Sequence, residues 1–201
     1  MSPAPRRAAD ADILAAARAI LEEDGLEGVT MLAIAGRVGV RPPSLYKHLE
    51  SRWQLLRLVA EDAYADLGAA VDRASASVPA GARRRRDSRA RLTAIAVAYR
   101  DWAHANPGAY RLLYAPLPAE ARPAPAVGGA AAAALLDAVE GVVPDGEELA
   151  AARTLVAFAN GFVTMELAGA FRLGGDIDAA YTYGVAVVVG AVVDRGRGGR
   201  G

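Results

Sequence analysis

Between Thr30 and Leu49 the chain fits two short helical patterns around a single glycine, and this narrows what it can fold into more than any other feature. The Thr30 hydroxyl is a natural N-cap for a helix over Met31 to Val38, and Gly39 supplies the left-handed residue that ends it. Pro42 and Pro43 stand where the first turn of a new helix tolerates proline. Two helices this short, joined by so tight a turn, predict a helix-turn-helix in which the second crosses the first. Ala35 is small enough to permit the crossing, Val40 plugs the space between the helices, and Leu45 and Leu49 point inward. Arg41, Pro43, Ser44, Lys47 and His48 are left on the outer face, with Tyr46 at its edge. A short helix with such a face suits the major groove of double-stranded DNA, where its first residues meet base edges.

The rest of the chain carries apolar residues at three- and four-residue spacing, broken by Gly and Pro, and no alternating strand pattern, so the expected class is all-α. Helices are expected at about 10–23, 30–39, 41–49, 51–74, 87–105, 107–114, 127–143, 145–173 and 176–195. The proline-dense segment 115–125 cannot be regular helix. Residues 1–50 are expected to form a DNA-binding domain. Residues 51–195 are expected to form a ligand-binding and dimerisation domain, entered by the helix that Ser51 caps, with 196–201 a disordered tail.

Lys and Arg total 23 and Asp and Glu total 23, so a case for nucleic acid rests on where charges sit rather than on their sum. The chain has no cysteine, which excludes disulfides, thiolate metal sites and cysteine nucleophiles. No phosphate-cradling glycine loop, serine elbow or paired-histidine zinc motif occurs, so neither an enzyme nor a cofactor or metal site is expected. Asp176 and Asp178 resemble a calcium loop only faintly, since Val187 stands where its glutamate belongs. The first residues lack the apolar run of a secretory signal, and the stretch Gly184 to Val193 is about half of the roughly 20 residues a membrane helix needs. A cytoplasmic protein is the expectation.

The block from Thr30 to Leu56, which includes Leu-Tyr-Lys-His at residues 45–48, resembles the signature of the TetR family of transcriptional regulators almost position for position. The likeness covers about residues 10–60. It implies a homodimeric repressor that binds a palindromic operator and is released by a small apolar or amphipathic effector; the alternative with the same fold is a DNA-binding dimer controlled by a protein partner or acting as an activator. It also implies that Thr30, Tyr46, His48 and Arg52 meet phosphates while Arg41, Pro43, Ser44 and Lys47 lie nearest the bases. Leu49 replaces the usual aromatic and Arg52 the usual lysine. An inducer that swings the helix starting at Ser51 would misplace the two recognition helices relative to successive major grooves.

The segment from Tyr99 to Tyr114 resembles the opening of a TetR effector domain with a Trp/His/Gly-type motif, and Phe158 to Gly169 resembles its penultimate helix. Trp102, Tyr110, Leu113, Tyr114, Phe158, Phe162 and Met165, with Glu166 among sparse polar groups, are candidates for an apolar effector pocket. Taken singly, each is more readily core than pocket wall. Small residues at regular spacing, Ala157, Gly161 and Ala168 on one helix and Gly184, Val187 and Ala191 on the next, are candidates for a four-helix dimer interface. Arg83 to Arg86 are read as a solvated connection.

Overall fold

The computed structural model describes residues 4–79, 84–140 and 142–198. The elements are α1 (Ala4–Gly28), α2 (Met31–Val38), α3 (Pro42–Leu45), α4 (Arg52–Ala76), α5 (Arg84–Ala105), α6 (Pro107–Tyr114), a 3-10 turn (Ala119–Ala121), α7 (Pro125–Ala131), α8 (Ala133–Val139), α9 (Glu148–Leu167) and α10 (Ile177–Gly198). Among the described residues there is no strand, as the hydropathy pattern predicts. The chain divides into two compact units, Met1–Ala65 with Asn106–Gly128, and Asp66–Ala105 with Gly129–Gly201.

In the first unit, α1 packs on both α2 and α6, and α2 on α3. Gly25, at φ 70 and ψ −170, breaks the run of α1 where the sequence places its end. Thr30 Oγ1 accepts from Ala33 N at 3.1 Å, and Gly39 takes the left-handed conformation at φ 76, returning its N–H to Ala35 O. Val40 N also reaches Ala35 O at 2.9 Å, closing the helix in the hydrogen-bonding pattern of a glycine C-cap. The third helix is shorter than its pattern suggests: α3 stops at Leu45, and His48 N reaches back to Leu45 O at 2.9 Å in a tighter turn. Ser51 Oγ accepts from Gln54 N at 3.1 Å while Gln54 Oε1 accepts from Glu50 N at 2.6 Å, a near relative of the capping box at the start of α4. Ile20, Leu21, Val29, Ile34, Leu45 and Leu56 are fully or almost fully buried.

In the second unit α5 packs on α8, α9 and α10, and α9 on α8 and α10. The expected helix over 127–143 is two pieces, parted at Ala132 and ended at Val139. The expected helix over 145–173 spans only Glu148–Leu167. Gly169 at φ 62 ends it, with Gly169 N on Glu166 O at 2.9 Å and Ala170 N on Met165 O at 2.9 Å, the two bonds of a Schellman motif. The last helix runs through Gly198, and residues 199–201 of the expected tail lie outside the described residues. Residues 177–195 of α10 form a helix long and apolar enough to cross a membrane by composition, with mean hydropathy 1.4, a longer stretch than the sequence reading allowed. That helix is two-faced: Tyr181, Val185, Val189 and Val192 are buried in the unit while Tyr183 and Val187 are exposed.

Candidate nucleic-acid interface and effector groove

The helix-turn-helix sets its candidate DNA-facing surface through an opposition of faces. Leu45 is 0% exposed and Leu49 4%, which fixes the rotation of α3, and Arg41, Pro43, Tyr46 and Lys47 consequently face solvent. Arg41 precedes two prolines and has extended backbone at φ −80, ψ 143, so its side chain leads the helix N-terminus rather than lying along it. Thr30 is exposed at the start of α2, where its oxygen is engaged as an acceptor and its O–H can still donate. Tyr46 is 58% exposed.

Two residues expected at phosphates hold protein partners. His48 Nδ1 lies 2.7 Å from Asp10 Oδ1, joining the end of the reading helix to α1. Arg52 donates from Nε to Val29 O and from Nη2 to Leu26 O, each at 2.6 Å, and its guanidinium carbon sits 5.2 Å from the Trp53 ring centroid. The far end of α2 is fixed as well, because Arg37 pairs through both guanidinium arms with the Glu23 carboxylate, which holds that carboxyl below its ordinary range.

Sequence reasoning missed how α1 meets α6. The Glu22 carboxylate accepts from Gly108 N at 2.6 Å and Ala109 N at 2.9 Å, placing an anion on the positive end of α6. Only glycine fits at 108, because a Cβ there would lie 2.4 Å from Leu21 O. Arg18 reinforces the junction by donating to Asp62 Oδ2 and to Asn106 Oδ1, both at 3.2 Å. The proline two residues before Ala109 and the glycine beside it were the visible signals of a tight helix start, but nothing local pointed to α1.

The eight residues expected to line an effector pocket are divided between the two units. Tyr110, Leu113 and Tyr114 belong to the first unit, and the other five belong to the second. In the first unit a groove of about 320 Å³ is lined by Ala60 and Tyr64 of α4, Leu112 to Ala115, Leu117, Arg122 to Pro125 and Gly128. Leu113 and Tyr114 are among these, and buried Tyr110 supports the wall with its ring centroid 5.3 Å from that of Tyr114. Partial burial pushes the Tyr64 phenol above its usual range. Arg122 stands at the groove with Nε committed to Leu117 O at 2.7 Å. Tyr64 and Arg122 were legible as residue types but not as neighbours.

In the second unit Trp102 is buried and donates Nε1–H to Asp66 Oδ2 at 2.9 Å. Phe158 and Phe162 pack with Tyr181 at centroid distances of 6.0 and 5.1 Å, and Phe162 with Phe171 at 4.7 Å, so these rings fill one another's space. Glu166 accepts from Arg100 and lies 2.9 Å from His104 Nε2. The Arg100 bond holds its carboxyl below the usual carboxylate range, with His104 adding in the same sense. Arg100 in turn reaches Asp178 at 2.6 Å and lies 4.9 Å over the Tyr181 ring. Met165 is exposed at 48%.

Of the small residues expected at a dimer contact, Ala157, Gly161, Ala168, Val187 and Ala191 are exposed. Gly184 is small for a different reason: a Cβ there would come 2.3 Å from Phe158 Cζ of the same chain. Arg83 lies outside the described residues, as do the side chains of Arg84 to Arg86.

Comparison with known proteins accords with this arrangement. A sequence profile described as "Bacterial regulatory proteins, tetR family" matches residues 13–59, and one described as "Tetracyclin repressor-like, C-terminal domain" matches residues 92–188. The "HTH-type transcriptional regulator Rv1816" of Mycobacterium tuberculosis is 34% identical over 147 residues, 71% of this chain and 60% of its own length. The chain thus spans about three fifths of that relative. The "Uncharacterized HTH-type transcriptional regulator Rv0681" of the same organism is 30% identical over 180 residues, 89% of this chain and 78% of its own. Among solved structures, a protein of unknown function from Rhodococcus sp. RHA1 aligns with TM-score 0.76 at 24% identity, over 95% of this chain and 98% of that one. A point variant of TetR from Acinetobacter baumannii AYE, in complex with minocycline, aligns with TM-score 0.64 at 24% identity, over 89% and 93%. At those identities the solved structures speak to the fold. On the two profiles and the relative matched over most of its length, the chain belongs to the TetR family of bacterial regulatory proteins.

Proposed function

We propose that the chain is a ligand-responsive transcriptional regulator of the cytoplasm that binds a palindromic operator as a homodimer and is released by a small apolar or amphipathic molecule. The observation that carries the reading is the two-faced α3, with Leu45 and Leu49 locked into the core and Arg41, Pro43 and Lys47 turned outward with Ser44 between them. Arg41 reads a guanine edge, a contact worth about 1–3 kcal/mol of discrimination. Thr30, Tyr46 and His48 hold phosphates, which orient the protein without reading sequence.

The exposed apolar stripe on α9 and α10 supports the dimer. Leu149, Val156 and Met165 on the first helix, with Tyr183 and Val187 on the second, are all at least 36% exposed and lie beside the small residues Ala157, Gly161, Ala168 and Ala191. The partner subunit covers this face, and two α9–α10 pairs make a four-helix contact. The effector enters the groove at Tyr64, Leu112 and Tyr114, where it displaces α6. Because Glu22 ties the start of α6 to α1, the displacement reaches the helix on which α2 packs. Repression then fails.

Selection of bound duplexes from a random DNA pool at a fixed, stated salt tests the reading, repeated with Arg41→Ala and Tyr46→Phe. The expected result is a palindrome that loses its preference at one symmetric position with the first change and weakens uniformly with the second. A folded dimer that recovers no sequence preference would refute it.

A further inference from the structure

Arg52 opens α4, yet its side chain is spent on the turn between α1 and α2. Its Nε donates to Val29 O and its Nη2 to Leu26 O, both at 2.6 Å. These carbonyls lie just after the break at Gly25, where the chain has left the α1 hydrogen-bond ladder. There the main chain closes short turns, Val29 N to Leu26 O at 3.3 Å and Thr30 N to Gly28 O at 2.8 Å. A planar fork that bonds two carbonyls fixes both their separation and their orientation, which a single ammonium cannot do. The Trp53 ring, 5.2 Å from the guanidinium carbon, holds the fork from the other side.

The residue after Val29 is Thr30, whose oxygen caps α2. Whatever fixes the Val29 carbonyl therefore fixes where α2 begins. Its other end is fixed by Arg37 on Glu23. Between these anchors α2 can neither slide nor rotate on α1, and α3, packed on α2, inherits that placement.

We propose that Arg52 is a positioning residue of the DNA-reading unit: its guanidinium clamps the Leu26 and Val29 carbonyls and so sets α2 and α3, and it does not serve as a phosphate ligand. The proposal rests on the DNA-binding reading above. Two roles for one cation are separable, because a phosphate contact releases counterions and a carbonyl clamp does not.

The test uses full-length protein, a duplex carrying the palindrome recovered from the random pool, and the variants Arg52→Lys and Arg52→Gln, each measured below its own unfolding transition. The clamp predicts that Arg52→Lys, though it keeps the charge, weakens binding about tenfold, the loss of one charge-assisted bond. It also predicts that neither variant changes the slope of log affinity against log salt. In the free protein, amide hydrogen exchange should quicken across Val29 to Ala33 in both variants. Wild-type affinity in Arg52→Lys, with a slope shallower by about 0.9 per subunit in Arg52→Gln, would overturn the proposal in favour of a phosphate contact. Unchanged exchange across Val29 to Ala33 would overturn it also. If wild-type protein selects no duplex, the DNA reading fails instead, and the exchange measurement still decides whether the clamp exists.

Discussion

Replacing Gly108 by alanine puts the α1–α6 junction to a quantitative test. The added Cβ would sit 2.4 Å from Leu21 O, 2.8 Å from Leu21 C and 2.9 Å from Glu22 Oε2, and two of these three atoms are backbone that no rotamer change can remove. Ordinary contact requires that α6 and α1 separate by about 1 Å. Overpacking of this kind costs about 1–3 kcal/mol. The same separation stretches the Glu22 bonds to Gly108 N and Ala109 N, and hydrogen bonds to a charged group are worth about 1.5–3 kcal/mol each. Alanine returns at most about 1 kcal/mol through its better helix propensity. The expected net loss is about 2–4 kcal/mol, which at about 2–4 °C per kcal/mol for a chain of this size lowers Tm by roughly 4–16 °C. Thermal unfolding followed by far-ultraviolet circular dichroism measures it, with Gly36→Ala as the control. Gly36 lies inside α2 with nothing within 4 Å of an added Cβ and without a positive φ, so the same substitution there should stabilise by about 0.5–1 kcal/mol. Opposite signs at the two glycines are the expected result. A Gly108→Ala variant as stable as wild type would refute the close approach and with it the role given to Glu22.

Val187→Asp, placing a charge on the exposed stripe of α10, should convert the dimer to monomer in analytical ultracentrifugation with little change in helicity; a persisting dimer would move the interface elsewhere. Leu45→Ala should cost about 2–5 kcal/mol by leaving a cavity under α3, read as a lowered denaturant midpoint. Glu22→Gln should leave operator selection intact while weakening the response to any molecule that the groove is shown to bind; an undiminished response would break the proposed route through α6. Glu166 has its folded pKa below its unfolded one, so the stability it contributes is complete above the unfolded carboxylate range and is lost as pH falls through the folded value. Glu166→Gln should therefore be less stable than wild type by about 1–3 kcal/mol at neutral pH, and the gap should close on acidification below the ordinary carboxylate range.

The helix-turn-helix was legible because its signals are local. Thr30 announces a cap, Gly39 a left-handed stop and Pro42–Pro43 a restart, and each acts through neighbours within a few residues. What failed to show was everything built by distant partners. Glu22 is an unremarked acid at a helix end until α6 arrives from 86 positions away. The spacing of Phe158 and Phe162 is equally that of a pocket wall and of a core, and their contacts with Tyr181 and Phe171 come from partners that no local pattern announces. The apolar pattern over 127–143 is helical throughout, and Gly128–Gly129 is the one local sign of the break at Ala132, whose N–H reaches Gly129 O at 3.2 Å. Arg52 reads as a phosphate contact in sequence because the carbonyls it binds have no side-chain signature.

The reading helix begins with two consecutive prolines, and Arg41 before them is denied the helical backbone region. These three successive residues have surrendered most of their backbone freedom during folding. On the proposed DNA reading, an operator is met by a template rather than by a segment that folds on contact. Heat-capacity change on DNA binding should then be small for the area buried, and association should proceed without a slow ordering step.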